Sequence, residues 1–314
     1  MKYEKFFELA KQAGIEDAEL YIKKSYSLSF SLFHGEVDNY TSNNGFAVSA
    51  RGLINGKFGA ASCDVWNLDK ANYLVNEIVK NAKVIENTDP TFIFEGSPKY
   101  KKVSTFNKDL ANVSIDLKLK NLHELETLIK NYDKRIAEVE SVGFEEVSET
   151  TILMNSKGLK LTQKSNYFDY VGAAVAKENG QVKTNFDLFL DNDYNKFNVK
   201  ELAEKVAKGV IEQLGGSPCE SNKYPTVLSP NVVSSLMQAY IGSADAEEVQ
   251  KNSSLFKDKL NTKIASSKVT IEDRPLDKTI FARGFDDEGV ATYNKAIIKN
   301  GTLKTYLYNL TTAA

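Results

Sequence analysis

The residues in this sequence best placed for chemistry lie in two short acidic stretches, "IEDRP" (Ile271 to Pro275) and "GFDDEG" (Gly284 to Gly289). Asp273, Asp286, Asp287 and Glu288 could together offer oxygen ligands to a divalent cation, and hard carboxylate oxygens favour magnesium or calcium over zinc. The same carboxylates could shape a loop at a strand end by accepting backbone hydrogen bonds, with Gly289 supplying a turn of positive φ. A third use is to line a groove for a substrate or partner. Spacing alone leaves all three open.

Other candidate motifs fail on their own terms. The chain has two histidines. In "HELETLIK" the residue four positions after His123 is Thr127, whereas a zinc-peptidase helix needs a second imidazole one turn on. His34 sits in "FHGE", the tip of an expected hairpin. "GLINGKFG" is one residue short of a phosphate loop and carries Phe58 where Ser or Thr would bind magnesium, so it reads as a β-turn. "SLFK" (Ser254 to Lys257) matches the Ser-x-x-Lys pattern of acylating serine enzymes. Serine and lysine are so frequent here that chance alone produces such matches. Cys63 and Cys219 lie far apart in sequence and read as free thiols of a reducing compartment.

At 314 residues and 42% hydrophobic, the chain can bury more than one core. Forty basic against forty-two acidic residues leave a net charge of -2, with no long run of one sign. Its four arginines (Arg51, Arg135, Arg274, Arg283) are scattered. Arginine is the residue that grips phosphate bidentately, so neither nucleic acid nor an anionic membrane is an expected partner. The N-terminus "MKYEKFFELAKQAG" puts charges inside its apolar patch, unlike a secretory leader. No apolar run approaches the roughly 20 residues of a membrane span. A cytoplasmic protein is expected.

The elements that must position these residues follow a repeated pattern. "EKFFELAKQA" predicts a helix over 4–13. After it, alternating apolar and polar residues between the turn signals "HGE", "NNG" and "NGK" predict an antiparallel meander. A helix follows in "NLDKANYLVNEIVKNAKV", capped by Asn67. The order then recurs: a helix capped by Ser114, strands with a turn at "NGQ" (Asn179 to Gln181), and a helix over 199–214 ending before Gly215. The fold class is therefore α+β, with duplicated helix, antiparallel-sheet, helix units. The expected units are residues 1–95 and 96–222, joined by a linker, "NTDPTFIFEGSPKYKKVSTFNKDLANV". A mainly β region over 223–314 follows, with strands at "TVLS", "SKVTIED", "KAIIKNG" and "TLKTYLYNL" and a helix from Pro230.

The segments "NSSLFKDKLNTKIASSKVTIEDRP" and "RGFDDEGVATYNKAIIKNGTLKTYLYNLTTA" resemble the TldD/PmbA family, once called modulators of DNA gyrase. The meander "NGFAVSARGLINGKFGAAS" and the duplicated middle resemble it too. The catalytic TldD branch has a His-Glu-x-x-x-His helix upstream of the segment matching "KNSSLF". Here that helix is "SSLMQAYIGSADAEEVQ", with Met237, Gln238 and Tyr240 but no histidine, and none of these replaces an imidazole on zinc. The resemblance is thus to the PmbA/TldE-like branch that lacks this metal motif. It implies a non-catalytic subunit of a cytoplasmic peptidase complex active in proteolysis and peptide maturation. The implied partner is a TldD-like paralogue bearing the motif, with zinc expected only there and no cofactor in this chain. It implies extended peptide substrates, such as microcin precursors or antitoxins, bound by strand addition. Asp273, Asp286, Asp287, Glu288 and Gly289 are then expected to shape a substrate groove or subunit contact, with no catalytic residue. Family members run on past "YNLTTAA", so a truncated or natively short member is expected, with unpaired edges in its third region. Two alternatives stand beside this one, a metallopeptidase in its own right using the carboxylates and a protein-binding modulator of DNA gyrase; a homodimer is left open as a further assembly.

Overall fold

The structure, a computed structural model, describes residues 2–86 and 92–314. The expected first helix forms as α1 (Glu4–Gln12), burying Phe6 and Ala10. Strands β1 (Asp17–Phe33), β2 (Glu36–Ile54) and β3 (Lys57–Cys63) follow, then α2 (Leu68–Val84). The Asn67 side chain accepts from Lys70 N at 2.8 Å and caps α2 as expected. The second unit repeats the order with α3 (Ile115–Lys130), β4 (Ile136–Asn155), β5 (Lys160–Glu178), β6 (Gln181–Asp191) and α4 (Val199–Ile211). Ser114 Oγ accepts from Leu117 N at 3.2 Å to cap α3.

The two units do not make separate sheets. Their strands form one six-stranded sheet in the order β3-β2-β1-β4-β5-β6, in which each unit runs outward from the centre in chain order. The seam is β1 paired antiparallel with β4, from Glu19 opposite Asn155 to Leu32 opposite Val142. The matching turns Asn55-Gly56 and Asn179-Gly180 join β2 to β3 and β5 to β6, with φ of 49° and 74°, and of 48° and 78°. Two successive residues at positive φ make the primed turn whose twist suits a hairpin. "NNG" is not a turn: Asn43, Asn44 and Gly45 pair with Ser27, Tyr26 and Ser25 inside β2. A Cβ on Gly45 would stand 2.3 Å from Ser25 Oγ, so this glycine serves a close cross-strand approach and not a reversal.

Helices α1 to α4 cover one face of this sheet. Along β1, Ala18, Leu20, Ile22, Leu28, Phe30 and Leu32 are buried, and the period of two sends them to the same side. Helices α1 and α2 close one core against β1 and β2, and α3 and α4 close a second around Phe144, Phe168 and Tyr170. Each such fully buried side chain contributes about 1.5–3 kcal/mol. The alternate residues of β1, Glu19, Tyr21, Lys23 and Ser25, fall on the face that carries no helix.

The linker is held along its described part, residues 92–113; residues 87–91 of that stretch lie outside the described residues. Thr105 bridges β5 at Ser165 in parallel. Asn166 N donates to Thr105 O at 3.1 Å, and Asn107 N donates to Asn166 Oδ1 at 2.8 Å. The ladder of β6 on β5 begins at Phe168, so this strap holds β5 around Lys164 to Asn166, where β6 leaves it open. An uncovered edge would expose unpaired N–H and C=O groups.

The third region holds α5 (Pro230–Gly242), α6 (Ala246–Gln250), β7 (Ile271–Asp273), β8 (Lys295–Lys299), β9 (Thr302–Leu303) and α7 (Leu310–Ala313). Helix α5 begins at Pro230 as expected, with proline in its first turn. The expected strands are much shorter: β7-β8-β9 form a small separate sheet, and "TVLS" is not a strand. A small core around Ala244, Phe256, Ile297 and Leu303 takes irregular backbone instead, tied by bonds such as Leu307 N to Ala244 O at 2.7 Å.

Candidate functional site

The helix-free face of the sheet is roofed by residues 279–290. Between them runs an open groove of about 1000 Å³. Its floor includes Glu19, Tyr21 and Lys23 of β1, Arg51 of β2, Glu149 of β4 and Gln163 of β5. Phe281, Arg283 and Asp287 line it from the roof.

Strand alternation delivers the floor, and a few long-range contacts fix the roof. Gln163 grips it twice, donating to Ala282 O at 3.1 Å and accepting from Gly284 N at 3.2 Å. Tyr21 Oη donates to Asp287 Oδ1 at 2.7 Å. Tyr100, in the strap, donates to Gly289 O at 2.7 Å. Phe285 closes a small core with Leu153 and Leu159 beneath the loop.

The five residues expected to shape the groove have separate fates. Asp287 lines it. Asp286 turns inward on the loop, its Oδ1 accepting from Glu288 N at 3.0 Å and Val290 N at 2.9 Å. Glu288 Oε2 accepts from Leu310 N, the first residue of α7, at 2.8 Å. Gly289 has φ of 85°, the left-handed turn its type supplies without strain. Asp273 lies elsewhere, on β7, paired with Lys295 Nζ at 2.6 Å. It is not among the groove residues, because the β7 ladder turns it toward β8. The carboxylates therefore diverge, and among the described residues no three His, Cys, Asp or Glu side chains converge as metal ligands. His34 at the β1–β2 turn faces Glu138 at 3.1 Å, and His123 is exposed on α3. The residues present do not fit a zinc site.

Charges in the groove come as pairs. Lys23 meets Glu149 at 3.3 Å, Arg51 meets Glu19 at 2.8 Å, and Arg283 meets Asp287 at 2.6 Å. Burial pushes the Glu19 carboxyl above its usual range, against the pull of Arg51. The Arg283 hydrogen bond holds Asp287 below its usual range. Burial, with Asp287 as acceptor, pushes the Tyr21 phenol up to about 12. Such an arrangement suits binding through hydrogen bonds and matched charge. Glu19 and Tyr21 of β1 and Arg51 of β2 were missed from sequence because no motif marks them and only strand pairing brings Arg51 beside Glu19. The alternation in "AELYIKK" was the available signal that Glu19, Tyr21 and Lys23 share one face.

Further along the same face, Asp169 stands opposite Glu145 in the β5–β4 ladder. Burial and then Glu145 raise its pKa from 3.8 to about 6. A raised folded pKa favours folding below the unfolded value, and that contribution is lost as pH rises from about 4 through about 6. Asp169→Asn is therefore expected to stabilise the protein at pH 7.5 by about 1 kcal/mol, after discounting for solvent screening at a half-exposed site. At pH 3.5 the gain should vanish. Urea midpoints at the two pH values check this.

Comparison with known proteins decides the family. Models of the PmbA/TldA metallopeptidase match in chain order: domain 1 over residues 18–82, the central domain over 108–214 and the C-terminal domain over 221–314. This chain belongs to the PmbA/TldD family. It is 27% identical to a metalloprotease of Methanocaldococcus jannaschii, over 99% of this chain and 69% of that protein. It is 24% identical to the metalloprotease PmbA of Escherichia coli O157:H7, over 93% of this chain and 66% of that protein. A proposed modulator of a DNA gyrase from Thermotoga maritima superposes with a TM-score of 0.89 at 27% identity, covering 99% of this chain and 71% of that one. TldE from Thermococcus kodakarensis superposes with a TM-score of 0.90, over 99% of this chain and 70% of that one. At 21% identity, that last likeness speaks for the fold alone.

Proposed function

We propose that this PmbA/TldD family chain is the non-catalytic, TldE-like subunit of a cytoplasmic peptidase complex. In that role its groove receives an extended stretch of peptide. One observation carries the reading: the groove is open and roofed, yet its charged side chains each meet an opposite charge and, among the described residues, converge as no metal-ligand set. The sequence supports it, since residues 230–250 contain no histidine. A TldD-like paralogue bearing His-Glu-x-x-x-His would supply the zinc and the bond-breaking step. The floor would offer polar side chains, and the roof would keep the peptide extended and away from bulk water. No helix among the described residues is long and apolar enough to cross a membrane.

The experiment is a peptidase assay with an unstructured peptide, using the chain alone, with added zinc, and mixed with such a paralogue. Cleavage is expected only in the mixture, together with co-elution of the two proteins on gel filtration. Chelator-sensitive cleavage by the isolated chain would overturn the proposal.

A further inference from the structure

We infer that Arg51 is a carboxylate anchor in the groove, and that the peptide it favours carries a free carboxylate there, at its C-terminus or on an acidic side chain. This rests on the groove being a peptide site, as proposed above.

The argument starts from how Arg51 is held. Its strand places it directly opposite Glu19, and its Nε donates to Glu19 Oε1 at 2.8 Å. Glu19 is only 4% exposed, so this contact is fixed from inside the sheet. The guanidinium lies over the Phe58 ring, 5.1 Å from its centroid. One edge and one face are thus fixed, and the side chain has little rotamer freedom left to lose on binding. Neither terminal nitrogen of Arg51 has a hydrogen-bond partner among the described residues. That leaves the Nη fork, the part of a guanidinium that matches the two oxygens of a carboxylate.

The other cations of the groove differ. Arg283 already presents its fork to Asp287, Nη2 to Oδ1 at 2.6 Å and Nη1 to Oδ2 at 3.5 Å. Lys23 is a point charge engaged with Glu149. The lining counts Lys23, Arg51 and Arg283 against Glu19, Glu149 and Asp287. With the other charges paired, one uncommitted guanidinium fork matches a monoanionic guest, whereas a dianion such as phosphate would keep a second negative charge uncompensated beside the groove carboxylates. Glu19 acts here as a positioning residue, since it is buried and holds the guanidinium through Nε.

The test uses the intact chain and a fluorescent, unstructured pentapeptide of Ala, Ser, Thr and Val in four forms. These are free C-terminus, C-terminal amide, the amide with one internal Glu, and the amide with Gln in its place. Affinities come from fluorescence anisotropy. A carboxylate-bearing form is expected to bind about tenfold or more tighter than its neutral match, the strength of a charge-assisted pair. Whichever of the two carboxylate forms shows the gain names the source. Arg51→Gln should erase the preference, bringing each carboxylate form to the affinity of its neutral match. Arg51→Lys keeps the charge facing buried Glu19 but lacks the fork. It should retain the fold and lose most of the preference, so the test survives if Arg51→Gln unfolds. Equal binding of all four forms to the native chain overturns the anchor and leaves the groove reading intact. A preference that persists in both Arg51 variants overturns it as well. Failure of every form to bind removes both proposals.

Discussion

Replacing Lys118 with methionine is expected to lower stability by about 3–5 kcal/mol, the cost of leaving a buried charge alone. Lys118 of α3 reaches Glu146 of β4 at 2.5 Å, and the two side chains are 4% and 7% exposed. The ammonium also sits over the Phe144 ring, 5.5 Å from its centroid. Without Lys118, Glu146 must stay charged in an aromatic core or take up a proton, and both are unfavourable. Glu146→Leu alone should cost a similar amount by stranding the lysine. The double variant Lys118→Met/Glu146→Leu should recover most of the loss, because removing both ions also removes their desolvation cost. Denaturant unfolding of the four proteins forms a double-mutant cycle that isolates the pair. A double variant as unstable as the worse single one would mean that the side chains matter for shape and not for charge.

The second large effect is expected at the roof. Gly289 holds φ of 85°, and a Cβ there would stand 2.7 Å from Leu153 Cδ2 and 2.9 Å from Leu159 Cδ2. Gly289→Val combines left-handed strain with overpacking, each costing about 1–3 kcal/mol. The loop should yield before the sheet does, since its anchors are a few hydrogen bonds and the small Phe285 core. Two local readouts follow. Amide exchange over residues 284–291 should accelerate strongly while β1 and β4 stay protected. The Tyr21 phenol, held at about 12 by burial and Asp287, should fall back toward 10 in a difference titration against Tyr21→Phe. If Tyr21 keeps its high value in Gly289→Val, the roof does not depend on this turn.

Much of the scaffold was legible because local chemistry and tertiary structure agree. Asn-Gly pairs at 55–56 and 179–180 can hardly do anything but turn, and Asn67 and Ser114 cap the helices their positions announce. "NNG" misled because glycine answers two needs, a positive φ or a close neighbour, and only the partner strand shows which. The long strands of the third region were over-read: alternation there continues past the point where any neighbouring strand is available to pair. The candidate site was half visible. The acidic loop stands out in sequence, but the sequence could not show that Asp286 and Glu288 face the loop itself and α7. Nor could it show that Asp273 belongs to another sheet. Glu19, Arg51, Glu149 and Gln163 carry no motif at all. They meet because strands distant in sequence lie side by side.

That β1–β4 seam also sets the order of events when the chain folds. Ala18 N and Ser156 Oγ, bonded across its end, are 138 residues apart. Each half contains its own hairpins and helices, whose contacts close over short loops and form quickly. The seam must wait, because a long loop has to close before its pairing is rewarded. Until then both halves present a bare strand, and two half-folded molecules can zip to each other through the same edges. Refolding should therefore show a fast phase independent of protein concentration and a slow phase whose yield falls as concentration rises, with dimers exchanging halves as the off-pathway product.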